Sequence, residues 1–156
     1  RFARPSSLKR SRIDLVELIE HTQVPLGEQH SLEVRADDSA RFVEADQNLL
    51  RAAFDNVILN AAQATPKGGT IDVEVEDVQA NRAPGVLVTL RDSGAGMDAA
   101  TAARALDPFF TTRPSGTGLG LPIVQRVVQA HGGHVELESE NGCGTTVRIW
   151  LPRTAP

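Results

Sequence analysis

Between positions 47 and 64, Leu49, Leu50, Ala53, Val57, Ile58 and Ala61 recur at helical spacing and fall on one face. The pattern predicts a helix over 47–64, with Asp46 as its cap and Pro66 and the Gly68-Gly69 pair as its stop. A second helix is predicted over 121–130, where Pro122 is tolerated in the first turn and His131-Gly132-Gly133 ends it. Residues 98–106 are alanine-rich and read as a short helix, and 13–21 as a short strand or turn leading into a first helix.

Alternation of apolar and polar residues marks the strands. It runs over 30–36 and 41–45, and the intervening Asp37-Asp38-Ser39 predicts a hairpin. It returns over 70–77 and 86–91, which should be neighbours across a turn at 81–85. The last pair, 135–139 and 145–151, reads as a hairpin around Asn141-Gly142. Helices interspersed among strands that can pair antiparallel pack most economically as an α+β two-layer sandwich. Its mixed, largely antiparallel sheet would be covered on one face by about three helices. The stretch 107–120 breaks the pattern: two Pro, three Gly and four Thr or Ser give it the composition of a mobile loop.

The chain has 156 residues, 40% of them hydrophobic, enough for one domain with a single core. It opens on Arg1, and Met97 is the only methionine, so it is read as a segment of a longer product. No stretch nears the roughly 20 apolar residues of a bilayer span, and the start lacks a signal-peptide pattern, so no direct membrane insertion is expected. Cys143 is the only cysteine, which excludes an internal disulfide and fits a reduced, cytoplasmic setting, whether or not the parent protein is anchored in the inner membrane. A net charge of −4 with scattered basic residues argues against a nucleic-acid partner. Any anionic ligand must therefore be held locally.

Three short motifs offer such chemistry. Asn56 and Asn60 lie four apart, so their side chains leave one helix face about one turn from each other. Each offers a carbonyl oxygen, a neutral hard donor that Mg²⁺ accepts while its other positions go to water and substrate phosphates. An ordinary polar face turned to solvent has the same spacing. Asp92-Ser93-Gly94-Ala95-Gly96 follows directly on a predicted strand. An aspartate there can accept a hydrogen bond from an exocyclic amine such as that of adenine, and the glycines let the backbone approach a flat ring. A plain turn has the same composition. Gly116-Thr117-Gly118-Leu119-Gly120 immediately precedes a predicted helix, where free N–H groups and the helix dipole suit a phosphate; a flexible linker would read alike. It is neither a G-x-x-x-x-G-K-[ST] loop nor the glycine turn of a βαβ unit. Arg113, after Thr111-Thr112, could reach a phosphate or stand solvated at the surface. The Phe109-Phe110 pair could pack in the core or anchor one end of a moving lid.

Together and in this order, the motifs resemble the catalytic domain of sensor histidine kinases, within the wider ATPase group that includes gyrase B, Hsp90 and MutL. Residues 55–61 are similar to the N box, 92–96 to the G1 box, 107–112 to the F box and 116–121 to the G2 box. Residues 142–146 match the terminal glycine–threonine element, and the resemblance covers about 13–152. It is nearest to kinases of the nitrogen-regulation type, where an F box followed by Thr-Thr-Arg and a short lid is usual. Arg1-Phe2-Ala3-Arg4-Pro5 resembles the tail that leaves their dimerisation helices.

The resemblance implies a linker over 1–12, a catalytic domain of the Bergerat ATP-binding fold over 13–152, a tail over 153–156 and an ATP lid over about 98–118. Asn60 and Asn56 would ligate Mg²⁺, and Asp92 would hold the adenine amine. Ala64, Gly94, Gly96, Met97, Phe110, Thr111 and Thr146 would also line the ATP site. Gly116, Thr117, Gly118, Leu119 and Gly120 would offer donors to the phosphates, with Thr112 and Arg113 at the γ end. Asn56 and Arg113 are assigned to catalysis, which would consist of positioning and charge neutralisation of an in-line phosphoryl transfer.

Hydrolysing relatives such as gyrase B carry a glutamate base where this chain has Asn56, so efficient ATP hydrolysis is not expected. The family's phosphoaccepting histidine precedes this domain in a helical H box, and none of His21, His30, His131 or His134 has that context. His131 reads as a helix-end residue and the other three as surface or strand histidines. The implied partners are the dimerisation and phosphoacceptor domain of the same parent and the receiver domain of a response regulator. Two other functions share the fold: a non-catalytic nucleotide-binding regulatory module, and a serine kinase of the anti-sigma-factor type. Intact Asn60, Asp92 and glycine loop argue against the first; the linker-like start and the F box argue against the second.

Overall fold

A computed structural model of the chain describes residues 8–26, 30–65, 68–80, 83–94, 96, 100, 120–140 and 142–154. Strand β1 (Arg10–Asp14) runs into helix α1 (Leu15–Glu20), followed by β2 (His30–Ala36), a 3₁₀ turn (Asp38–Ala40) and β3 (Phe42–Asp46). Then come α2 (Gln47–Ala64), β4 (Gly69–Ala80), β5 (Ala83–Arg91), α3 (Gly120–Ala130), β6 (His134–Glu140) and β7 (Gly144–Pro152). Five strands form one sheet in the order β2-β4-β5-β7-β6, and β1 pairs with β3 in a separate antiparallel ribbon. Within the large sheet β2 runs parallel to β4 and every other pair is antiparallel. The architecture is the two-layer α/β sandwich with a mixed sheet expected from the pattern.

Strand periodicity divides the sheet into two unlike faces. On one, Ile71, Val73 and Val75 of β4, Val86, Val88 and Leu90 of β5, and Val147, Ile149 and Leu151 of β7 are buried. They pack beneath Leu50, Phe54, Val57 and Ile58 of α2 and Val124, Val127 and Val128 of α3 in one hydrophobic cluster. The alternate residues carry charge and pair across strands, as in Arg148 with Glu138 at 2.8 Å. Trp150 is a large aromatic side chain on that outer face. Its indole lies over Gly85, where a Cβ would stand 2.4 Å from the ring, while Nε1–H donates to the Val78 carbonyl at 3.0 Å and His134 stacks on it.

The helices start and stop for local reasons. Asp14 caps α1 by accepting from the N–H groups of Val16 (3.0 Å) and Glu17 (3.2 Å). Asp46 caps α2, its Oδ1 accepting from Leu49 N–H at 3.2 Å. At the other end Thr65 turns out of the helix into extended backbone, and its hydroxyl donates to the Ala61 carbonyl at 2.7 Å. After α3, Gly132 supplies the positive φ of +83° that a left-handed helix stop needs. No helix among the described residues is long and apolar enough to cross a membrane.

One expectation fails. Residues 30–36 and 41–45 do not form a hairpin, because β2 pairs with β4 and β3 pairs with β1. The 3₁₀ turn between them redirects the chain, and Asp37 N–H goes to the Val75 carbonyl of β4 (3.1 Å) rather than back across a hairpin. Alternation fixes which residues point inward but not which strand lies alongside. All of the helix expected over 98–106 but residue 100, and all of the loop over 107–120 but residue 120, lie outside the described residues.

Candidate nucleotide-binding site

Helix α2 buries Leu50, Ala53, Phe54, Val57, Ile58 and Ala61, which leaves Asn56 and Asn60 half-buried on its flank, one turn apart. Ala64 ends the helix, and Gly94 packs directly on it: a Cβ at Gly94 would stand 2.3 Å from the Ala64 carbonyl oxygen. His30 Nε2–H donates to the Thr65 carbonyl at 2.8 Å and ties the start of β2 to the same helix end. The C-terminal end of α2 and the loop after β5 thus form one packed junction.

Asp92 stands just past β5, where the ladder to β7 continues: its N–H donates to the Thr145 carbonyl at 3.0 Å. Its Oδ1 accepts from Gly94 N–H (2.9 Å) and from Thr145 N–H (3.2 Å). Both donors share that oxygen, so Oδ2 takes none from the described residues. Burial pushes the Asp92 carboxyl above the ordinary 3.8, partly offset by the two backbone donors. The β6–β7 turn packs against the same loop, backbone to backbone. A Cβ on Gly144 (φ +85°) would meet the Asp92 carbonyl at 2.1 Å, and one on Gly96 (φ +72°) the Glu140 carbonyl at 2.0 Å. Only glycine fits either position.

Asn56, Asn60, Ala64, Asp92, Gly94 and Gly96 are thus found on α2 and on the loop packed against its end. Gly120 is the first residue of α3, whose first-turn N–H groups have no partner within the helix. Thr146 lies opposite Arg91 and Glu138. Strand alternation puts it on the outer face with Arg148, away from Thr145 and the buried Val147. Thr145 is the residue joined to Asp92, and its hydroxyl hydrogen-bonds Ser139 Oγ at 2.8 Å. The sequence did carry a signal for it: in a period of two, only one of two adjacent threonines can share the inward face of Val147. Met97, Phe110, Thr111, Thr112, Arg113, Gly116, Thr117, Gly118 and Leu119 lie outside the described residues.

Among the described residues no three His, Cys, Asp or Glu side chains converge so as to hold a metal ion. The amides of Asn56 and Asn60 fit a hard cation that takes its remaining ligands from phosphate and water. The part-buried carboxylate of Asp92, with one oxygen left over, fits a ligand that brings its own N–H donor.

Residues 45–155 match the family described as histidine kinase-, DNA gyrase B-, and HSP90-like ATPase. The chain belongs to this family. The sensor histidine kinase ZraS of Escherichia coli strain K12 is 35% identical over 156 residues, 97% of this chain but 33% of its own length. The chain therefore spans about a third of that relative. Among solved structures, the mycobacterial sensor histidine kinase MprB superposes with a TM-score of 0.78 at 28% identity, covering 94% of this chain and 99% of that one. The catalytic domain of the histidine kinase ThkA gives the same TM-score of 0.78 at 28% identity, over 95% of this chain and 98% of its own.

Proposed function

We propose that this chain is the ATP-binding catalytic domain of a sensor histidine kinase of the nitrogen-regulation type. It would transfer the γ-phosphate of ATP to a histidine on a dimerisation domain of the same parent, for relay to the receiver domain of a response regulator. The observation that carries the reading is Asp92, a half-buried carboxylate with two backbone donors on Oδ1 and Oδ2 left for the ligand. An exocyclic amine matches that oxygen, and a second carboxylate or a phosphate does not.

Asn56 and Asn60 would hold Mg²⁺, which when bound neutralises phosphate charge and helps to align the transferring group. The first turn of α3 would offer backbone N–H groups and the positive end of its dipole to the phosphates. The resemblance assigns Gly116, Thr117, Gly118 and Leu119 to the same task, and Thr112 and Arg113 to the γ end. The amide of Asn56 cannot serve as a base on water, which favours transfer to a histidine over hydrolysis. The Thr111-Thr112-Arg113 run at the end of the F box supports the nitrogen-regulation type.

The test is calorimetric titration with ATP, with and without Mg²⁺, while released phosphate is assayed and a purified dimerisation domain is offered as acceptor. Saturable binding, slow release and labelling of the acceptor histidine are expected. Rapid release would move the chain towards the hydrolysing relatives. Absence of binding would leave a non-catalytic regulatory module.

A further inference from the structure

His131 is buried at the C-terminal end of α3 and is held on both ring nitrogens. Nε2 accepts from the backbone N–H of Asp46 at 3.0 Å, and Nδ1 lies 2.8 Å from the Val127 carbonyl. An amide N–H can only donate and a carbonyl can only accept, so the ring must be neutral with its proton on Nδ1. A protonated ring would set a second donor against Asp46 N–H.

Asp46 is itself a junction. Its Oδ1 caps α2 at Leu49, and its Oδ2 accepts from Lys9 N–H at 3.1 Å. Helix α2 carries Asn56 and Asn60 and supports Gly94 at its far end; α3 begins at Gly120, the last residue of the glycine-rich run. The two helices pack along each other, and the imidazole is a polar tie between the last turn of one and the cap of the other. Apolar contacts between helices tolerate sliding far better than a ring hydrogen-bonded at both nitrogens.

We propose that His131 is a positioning residue for the nucleotide site: its neutral imidazole joins the end of α3 to the cap of α2 and so fixes the α3 phosphate donors relative to the α2 amides. This rests on the nucleotide site described under the proposed function. Burial also holds the ring below the ordinary histidine pKa; Val127 as acceptor opposes this, Arg10 of β1 reinforces it and Asp46 of β3 opposes it. The ring is thus kept in the form the tie requires.

The test compares ATP affinity in the 156-residue chain, its His131→Phe and His131→Gln variants, and Val73→Ala, a core truncation that touches neither helix cap nor site. Affinities are read well below every melting midpoint. His131→Phe should bind ATP on the order of tenfold more weakly while keeping native circular dichroism, and His131→Gln should recover part of the loss. Val73→Ala should stay within about twofold of wild type despite a similar fall in Tm. If His131→Phe binds as wild type does, or loses no more than Val73→Ala, the inference is overturned. Should His131→Phe not fold, long-range ¹H–¹⁵N spectra of the wild type decide instead. The Nδ1–H tautomer with ring shifts that move on ATP addition is expected, and ring shifts indifferent to ATP would overturn it. A wild type that binds no ATP fails the nucleotide site first, separately from the His131 comparison.

Discussion

Two titratable side chains, the half-buried Asp92 and the buried His131, are held by backbone groups in opposite ways. Asp92 carries its carboxyl group in a place that penalises the charged form. Because its folded pKa is raised, the folded chain binds the proton more tightly, so its contribution is fully present below pH 3.8 and lost as pH rises through the folded pKa. Asp92→Asn keeps an acceptor for Gly94 and Thr145 but replaces Oδ2 with an amide donor. The variant should therefore melt no lower than wild type without nucleotide, while calorimetry finds ATP affinity cut by about 1–3 kcal/mol, roughly 5- to 150-fold. A variant that binds ATP normally removes Asp92 from the adenine. Asn60→Ala should weaken Mg²⁺-ATP more than metal-free ATP, and equal losses would take Asn60 out of the metal site. For His131 the folded pKa lies below the ordinary 6.5, so on acidification the unfolded chain takes up the proton first. Stability intact above pH 6.5 is then lost as pH falls towards the folded pKa, and His131→Phe should flatten that part of the pH–stability curve in urea melts. Asp92 was legible in the sequence because it follows directly on a strand and opens the D-x-G-x-G motif. The tie made by His131 was not, because its partner Asp46 lies 85 positions away.

At the scale of elements, α2 is the piece on which the site is assembled, and its two ends do different work. Its cap, Asp46, joins Leu49, Lys9 and His131. Asp46→Ala removes the side-chain bonds but leaves the backbone N–H for His131, and should cost about 0.5–2 kcal/mol in urea unfolding with a small effect on ATP affinity. Its other end carries the loop after β5. Gly94→Ala would drive a methyl group into the Ala64 carbonyl, and overpacking of this kind costs about 1–3 kcal/mol. Because the displaced loop holds Asp92, that variant should lose ATP binding along with stability; binding retained at wild-type strength would show that the junction does not set the site. Helices α2 and α3 and strands β4 to β7 follow the sequence pattern to within a few residues, since each has a strong period and clear stop signals. The pairing of β2 and β3 did not follow, since each strand's neighbour is a distant segment.

For the whole molecule, a ligand that binds only the folded chain must raise its stability. At 100 times Kd, ATP should add about 2.7 kcal/mol to the unfolding free energy, more with Mg²⁺ present at the same nucleotide concentration, and only about 0.3–1.8 kcal/mol in Asp92→Asn. Thermal melts with and without nucleotide would check this, and equal gains in wild type and Asp92→Asn would contradict the site. The sequence by itself determined the helices among the described residues, most of the strands, the layer architecture and the order of the nucleotide motifs. These depend on local periods, on caps and on glycines needed where φ is positive, all written in neighbouring residues. Only the tertiary structure decided that β2 lies parallel to β4, that the Thr145 N–H meets Asp92, that Gly94 rests on the end of α2, and that Trp150 fills the space over Gly85. Each of these joins groups far apart in the chain, and a local pattern says which way a side chain points but not what packing brings to meet it.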